Sequence, residues 1–341
     1  MILACFHFLR RLGVLLMLSL LIGCDGSGDT SSPAAARPDA GSMKISLEAA
    51  EQYLVGGDLV EAEAIARRMA ESVPDSLEAH ELLGRVLIAR AIGLRDSGRP
   101  GEAREQWIAA SEQYEQVVRL APESAGLHQS GGEVAQMAGR NGLAIELYRR
   151  AGELDPDDPR PALYIAQLLV ADGSLREART WINRVLALQP DQAHALATLA
   201  VIEMEEGQWD QAKASVAMAL AAQPDDLGIR TMQTRIYRRS GDPERGLELL
   251  LGLPESARGT EAVTEEIAGC WMDLGRPDQA AKAWERCHGA SGERAGSIAV
   301  RAAESWLAAA RPVEAQAWIE RAELAGVPRE RIESLREQLA P

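Results

Sequence analysis

Hydrophobic and polar residues are arranged in two different ways along this chain. Residues 12–22 form an apolar run of 11 residues, directly after Arg10 and Arg11. A run of this length is typical of the core of a secretory signal and is short for a membrane-spanning helix, which needs about 20 residues. From residue 43 onward, small and apolar residues instead recur between polar ones at a fixed spacing, which predicts a series of helices.

Glycine marks the period of this second pattern. Five glycines follow one another at intervals of 34 residues: Gly139, Gly173, Gly207, Gly241 and Gly275. A small residue comes five positions after each glycine and another seven positions before it. Gly57 has the same flanking residues, and proline follows seventeen positions after four of the six glycines, at Pro74, Pro156, Pro190 and Pro224. Since glycine often ends a helix and proline cannot continue one, each period predicts two antiparallel helices.

This pattern resembles the tetratricopeptide repeat, which has a small residue at position 8, Gly at 15, Ala at 20 and Pro at 32. The resemblance implies an all-α fold, an α-solenoid in which helix hairpins stack into a right-handed superhelix. A final helix over 330–341 would cap the last hydrophobic face, as stacked arrays require. We assign eight repeats to 43–329: 43–76, 77–124, 125–158, 159–192, 193–226, 227–260, 261–294 and 296–329.

Two repeats depart from the pattern. Repeat 77–124 has seven extra residues in each helix, which predicts an elongated hairpin protruding from one edge; two partial repeats are the alternative. In repeat 227–260, Pro254 comes early, so we expect a short second helix followed by a loose segment over 254–260.

The N-terminal segment resembles the signal of bacterial lipoproteins. Leu21-Ile22-Gly23-Cys24 matches the lipobox, in which the Cys takes the lipid and becomes the first residue of the mature chain. The resemblance implies a signal over 1–23, lipidation of Cys24 and a membrane anchor in the cell envelope, facing the periplasm or the exterior. An ordinary cleaved signal and an uncleaved anchor remain alternatives. Residues 24–42 are rich in Gly, Ser, Pro, Ala and Asp, which predicts a flexible tether.

Composition and charge limit the function. The chain has 341 residues with a net charge of −15 and 4% aromatic residues, and both of its Phe lie in the signal. This acidic net charge argues against sequence-independent binding to nucleic acid, because such binding needs a basic face. The few aromatic residues favour helices that pack closely through Ala and Leu.

No catalytic constellation is visible in the sequence. His80-Glu81-Leu82-Leu83-Gly84 begins like a zinc-protease helix, but Gly84 stands where the second ligand belongs. Cys270 and Cys287 fall about 9–10 Å apart along a hairpin, too far for a disulfide. We therefore expect no enzyme activity, no metal and no cofactor.

In the repeat family, helix A positions 2, 5, 9, 12 and 13 line a concave groove that holds partner peptides; we call these the groove positions. The resemblance implies that a protein or peptide partner contacts the residues there: Gln129, Glu133, Gln136, Arg160, Gln167, His194, Met204, Thr231, Arg235, Arg238 and Arg239. The three arginines of this set either bind acidic groups of the partner or pair with Glu205, Glu265 or Glu266.

Three functions are compatible with these features. The first is a membrane-anchored, protein-binding scaffold in an envelope assembly such as secretion, pilus or polysaccharide export. The second is a self-associating structural envelope protein, and the third, which the sequence favours least, is an enzyme.

Overall fold

The computed structural model describes residues 40–287 and 293–339, which form 18 helices and no strand. The predicted signal and Cys24 lie outside the described residues, as does the tether up to residue 39. The first helix begins at Ala40, three residues before the end of the predicted tether, so the tether is shorter at its C-terminal end than the composition predicts. None of the described helices is both long enough and apolar enough to cross a membrane.

The described residues fall into two bodies, an N-terminal body up to Leu168 and a C-terminal body from Leu169. Helices that lie in or begin in the N-terminal body are α1 (Ala40–Gly56), α2 (Leu59–Ser72), α3 (Leu77–Asp96), α4 (Pro100–Leu120), α5 (Ala125–Met137), α6 (Asn141–Leu154) and α7 (Arg160–Asp172).

The C-terminal body contains the remaining helices. They are α8 (Leu175–Leu188), α9 (Ala193–Glu205), α10 (Trp209–Ala222), α11 (Leu227–Arg239), α12 (Pro243–Leu251), α13 (Glu255–Arg258), α14 (Glu261–Asp273), α15 (Pro277–Glu285), α16 (Glu293–Ala308), α17 (Pro312–Leu324) and α18 (Arg329–Glu337). Within each body, most helices that are neighbours in sequence pack against each other, as in the hairpins of α3 with α4 and of α5 with α6.

Left-handed residues end the first helix of each hairpin. All five glycines of the 34-residue series have positive φ, between 69° and 90°. After Gly139, the Arg140 N–H donates to the Ala135 carbonyl at 2.8 Å, which satisfies an acceptor that the helix end leaves open.

The last repeat keeps this turn without glycine. Ala310 has φ 54° and is the one non-glycine residue of the described chain with positive φ. The turn forms because the Arg311 N–H donates to the Trp306 carbonyl at 3.0 Å.

Small residues allow the two helices of a hairpin to approach closely. A Cβ added at Gly132 on α5 would lie 2.6 Å from the Tyr148 ring on α6, and one at Gly84 on α3 would lie 2.9 Å from the Tyr114 ring on α4. The alanines at position 20, such as Ala144 on α6, are fully buried. These contacts hold each pair of helices at a spacing that a larger residue would disturb.

The segment 77–124 is one hairpin of two long helices. α3 and α4 have 20 and 21 residues, each seven more than α5 and α6 with 13 and 14. The two long helices face each other and bury Trp107, Tyr114 and Val117 in one core.

The segment after α12 differs from the expectation of a loose connection. α12 is short, with nine residues, as expected. Residues 255–258 nevertheless form the short helix α13, because Pro254 offers its carbonyl to the N–H groups of Ala257 and Arg258 at 3.0 Å each. The second helix of repeat 261–294, α15, also has only nine residues and ends at Glu285, which the repeat pattern does not predict.

The C-terminal helix α18 covers the end of the hydrophobic core. Its Ile332 and Leu335 are buried against Ile319 and Ala322 of α17. The other residues of α18 are polar and exposed for the most part, which suits a helix with one face to solvent.

We predict that Gly132→Ala destabilises the chain by about 1–3 kcal/mol, because the added methyl group overlaps the Tyr148 ring. Thermal unfolding followed by circular dichroism measures the change. Gly93→Ala on α3 is the matched control, since nothing lies within 4 Å of its Cβ. There the same substitution is expected to stabilise the helix slightly. Equal melting temperatures for the two variants would contradict the close approach.

We predict that Ala310→Gly stabilises the chain by about 0.5–1 kcal/mol. The left-handed conformation costs alanine about 1–2 kcal/mol, and glycine adopts it without this cost. Part of the gain is lost because glycine gives up more backbone entropy on folding. Ala309→Gly is the control, since Ala309 does not have positive φ, and it is expected to lower the melting temperature. A lower melting temperature for Ala310→Gly would argue against the left-handed turn.

Candidate partner-binding site

The groove positions of the N-terminal body carry polar side chains that hold one another in place. The Gln129 side-chain amide donates to Glu133 Oε1 at 3.0 Å, one helical turn along α5. The Tyr148 hydroxyl of α6 donates to Gln136 Oε1 at 3.1 Å. All three α5 side chains are half-buried, so they are accessible yet restrained.

Glu133 lies in an environment that disfavours its charged form. Burial raises the pKa of this carboxyl above its ordinary value, and the Gln129 hydrogen bond and the charge of Arg160 compensate only in part. Burial and the charge of Glu133 also raise the pKa of the Tyr164 phenol on α7. A carboxylate and a phenol therefore share a partly desolvated part of this surface.

Arg160 is held by a neighbouring aspartate. Its Nε donates to both carboxylate oxygens of Asp158, at 2.9 and 3.0 Å, and its Nη2 lies 2.7 Å from Oδ2. The same Asp158 accepts the Arg160 backbone N–H at 2.9 Å and so caps the start of α7. The hydrogen bond with Asp158 raises the pKa of Arg160 further, so its charge is fixed and already balanced.

Gln167, the last predicted site residue of this body, is half-buried on α7. Its Oε1 is buried and has no hydrogen-bond partner in the described part of the chain. An unsatisfied buried oxygen carries a cost, so Gln167 does not stabilise the free chain in the way that Gln129 does.

The arginines of α11 pair with carboxylates of the same body. Arg235 Nε donates to Glu266 Oε1 of α14 at 2.7 Å, and Arg238 Nε lies 3.5 Å from Glu266 Oε2. Arg238 Nη1 also donates to Asp273 at 3.0 Å, and Arg239 pairs with Glu205 of α9. We call this set the arginine network.

The structure thus answers the question that the sequence left open for these arginines. They pair internally with Glu266 and Glu205, whereas Glu265 pairs with Arg301 of α16 at 2.6 Å. Glu266 is only 3% exposed, so the arginine network links α11 to α14 from inside.

Two predicted groove residues are not available at the surface. Met204 is 3% and Thr231 8% exposed, and the Thr231 hydroxyl donates to the Gly228 carbonyl at 2.8 Å. Met204 on α9 and Thr231 on α11 are therefore buried side chains and not groove-lining ones. His194 stays half-buried, with Nε2 3.9 Å from the carboxylate of Asp226.

The remaining chemistry of the described residues is limited. No group of three or more His, Cys, Asp or Glu in 40–287 and 293–339 is arranged to hold a metal ion. Cys270 and Cys287 are both free thiols, the first buried and the second half-buried.

Sequence reasoning missed two residues of this surface. Glu81 occupies position 5 of repeat 77–124, and burial raises its pKa as it does for Glu133. The same position list, applied to that repeat, could have found it. Tyr164 is at position 6, outside the groove positions, and only the packing of its ring against Tyr148, with centroids 5.0 Å apart, indicates its place.

Comparisons with known proteins agree with the hairpin architecture. Residues 88–159 and 135–202 each match a family model described as tetratricopeptide repeat. A search of curated proteins found no significant match.

Solved structures share the fold across most of the chain. A tetratricopeptide repeat protein from Parabacteroides merdae matches with a TM-score of 0.55 at 15% identity, over 89% of this chain and 100% of its own. A chain of the APC/C hetero-tetramer Cut9–Hcn1 matches with a TM-score of 0.53 at 14% identity, over 89% of this chain and 57% of its own. Together with the helix hairpins, these findings show that the chain contains tetratricopeptide repeats over residues 88–202 and has the tetratricopeptide repeat fold.

We predict that Glu266→Gln destabilises the chain by about 1–3 kcal/mol, because Arg235 and Arg238 lose the carboxylate that compensates them both. Urea unfolding measures the change. Glu265→Gln is the matched control, since its pair with Arg301 is more exposed and is expected to contribute less than about 1 kcal/mol. If both variants lose the same stability, the arginine network has no special role in the fold.

Proposed function

We propose that this chain is a membrane-anchored lipoprotein that acts as a protein-binding scaffold in an envelope assembly, such as secretion, pilus or polysaccharide export. The observation that carries this proposal is the set of restrained polar side chains at the groove positions of the N-terminal body, on a tetratricopeptide repeat fold. Such repeats typically serve protein–protein interaction and not catalysis. The chain therefore has a protein partner and no enzymatic role in this proposal.

The anchor in this proposal is a lipid on Cys24. Support comes from the lipobox-like residues 21–24, the arginines before the apolar run and the polar tether after it. A single acyl chain binds membranes only marginally, so the several chains that lipoproteins carry on this residue provide stable attachment.

We predict that Cys24→Ser abolishes incorporation of radioactive palmitate in the bacterial host and releases the chain from the membrane fraction. Cys287→Ser is the control, because Cys287 is a half-buried thiol of the described residues and lies outside the lipobox. Equal labelling of the Cys24→Ser variant and the unaltered chain would exclude the anchor.

Photo-crosslinking tests the scaffold. A photoreactive amino acid replaces Met137, which is 41% exposed at a groove position of α5. The control replaces Glu105, an exposed residue of α4 and therefore not at a groove position. We predict an adduct with a different envelope protein from position 137 and none from position 105.

Other outcomes of this experiment oppose the proposal. Adducts of the chain with itself alone would favour the self-associating structural protein, and light scattering of the detergent-solubilised chain would then report an oligomer. Identical adducts from positions 105 and 137 would mean that the groove positions do not select a partner.

A further inference from the structure

The carboxylate of Glu133 is not paired with a cation in the described part of the chain. It is half-buried on α5, and within the described part of the N-terminal body it forms no ion pair. Its one hydrogen bond to a side chain comes from Gln129, which fixes Oε1 at 3.0 Å. The charge is therefore oriented and partly desolvated but not neutralised.

The cations of this surface are engaged elsewhere. Arg160 is held by both oxygens of Asp158, and Arg85 of α3 lies 3.3 Å from Glu51 of α1. Either arginine would have to give up its own carboxylate to pair with Glu133. The chain itself therefore compensates the charge on Glu133 only in part, through the Gln129 hydrogen bond and the more distant charge of Arg160.

The phenols of Tyr148 and Tyr164 lie within electrostatic range of this carboxylate, whose charge helps to raise the pKa of both. The rings of Tyr148 and Tyr164 lie 5.0 Å apart, and the hydroxyl of Tyr148 is fixed by Gln136. Tyr148 is fully buried, whereas Tyr164 is half-buried and offers part of its ring to the surface. A positively charged group next to a carboxylate and an aromatic ring gains from both.

In the arginine network of the C-terminal body, by contrast with Glu133, the charges are paired. Its arginines are paired with Glu266, Asp273 and Glu205, so they present little free positive charge to an acidic partner. The net charge of −15 also favours a basic partner over an acidic one. The unsatisfied charge at the groove positions is therefore negative.

We propose that Glu133, oriented by Gln129 and flanked by Tyr164, receives a lysine or arginine side chain of the protein partner. This inference rests on the proposed function and specifies the chemistry of the partner, which is a basic segment. Glu81 of α3, half-buried and also without an ion pair in the described residues, gives the N-terminal body a second carboxylate for such a segment.

The test measures binding of a dye-labelled heptapeptide, Ser-Arg-Ser-Lys-Ser-Arg-Ser, to the full chain in a neutral detergent by fluorescence anisotropy. The salt concentration is physiological, so that exposed charges further apart than about 8 Å are screened. The same peptide with Gln at its basic positions reports binding that does not depend on the cations.

Three variants separate the site from the overall charge. Glu133→Gln keeps the shape and the hydrogen bond from Gln129 but removes the charge, and we expect it to weaken binding about tenfold or more. Glu133→Asp keeps the charge and should retain part of the affinity. Glu105→Gln removes an exposed carboxylate on α4 and should change the affinity less than twofold.

Two results would overturn the inference. Equal weakening by Glu133→Gln and Glu105→Gln would show that only net charge matters. Equal binding of the basic and the Gln-containing peptides would show that no cation is recognised. Thermal unfolding confirms that each variant is folded before its affinity is compared.

Photo-crosslinking from position 137 distinguishes this inference from the proposed function. If the Glu133→Gln variant forms the same adduct in the same yield, the scaffold stands and the role of Glu133 is wrong. If no partner is cross-linked to the unaltered chain, the scaffold fails, and the peptide measurement still decides whether Glu133 recognises a cation.

Discussion

The close approach of the two helices in each hairpin is the constraint on which this structure depends. Position 8 of the first helix and position 20 of the second lie where the helices are nearest, and only small residues fit there. The repeat 227–260 shows how strict the limit is. It has the larger Thr234 at position 8 and Gly246 at position 20, where a Cβ would lie 3.1 Å from the Thr234 carbonyl oxygen. The larger residue at position 8 is thus accommodated by a residue without a side chain at position 20. The Thr234 hydroxyl also donates a hydrogen bond to the Gly246 carbonyl at 3.3 Å.

This constraint explains what the sequence could predict. Helix ends follow from single residues with special backbone properties, and the glycines at 34-residue intervals do have positive φ. The four-residue helix α13 escaped prediction because Pro254 stops one helix and also starts the next. Ala310 escaped notice because alanine does not signal a left-handed turn, which here is imposed by the hydrogen bonds around it.

The repeat register assigns residues to groove positions, but it does not say which of them are exposed or which charges are already paired. The repeat register identified Glu133 and Arg235 alike as groove residues, but it could not say which of them already has a partner. That depends on side chains elsewhere in the fold: Glu266 on α14 pairs with Arg235, whereas Asp158 pairs with Arg160, whose charge acts on Glu133. The difference matters for function, since a paired charge braces the fold and an uncompensated one is available to another molecule.

The long hairpin of α3 and α4 shows how a repeat can be lengthened without disturbing its packing. The contact between Gly84 and Tyr114 matches the contact between Gly132 and Tyr148, although the first pair is 30 positions apart and the second only 16. The additional residues therefore lie between the contact and the loop, seven in each helix. Seven residues fall only about 20° short of two full helical turns, so the added length hardly rotates one face of the helix against the other. An insertion of this size preserves helical phase, and the chain can lengthen one hairpin without changing which side chains meet its neighbours.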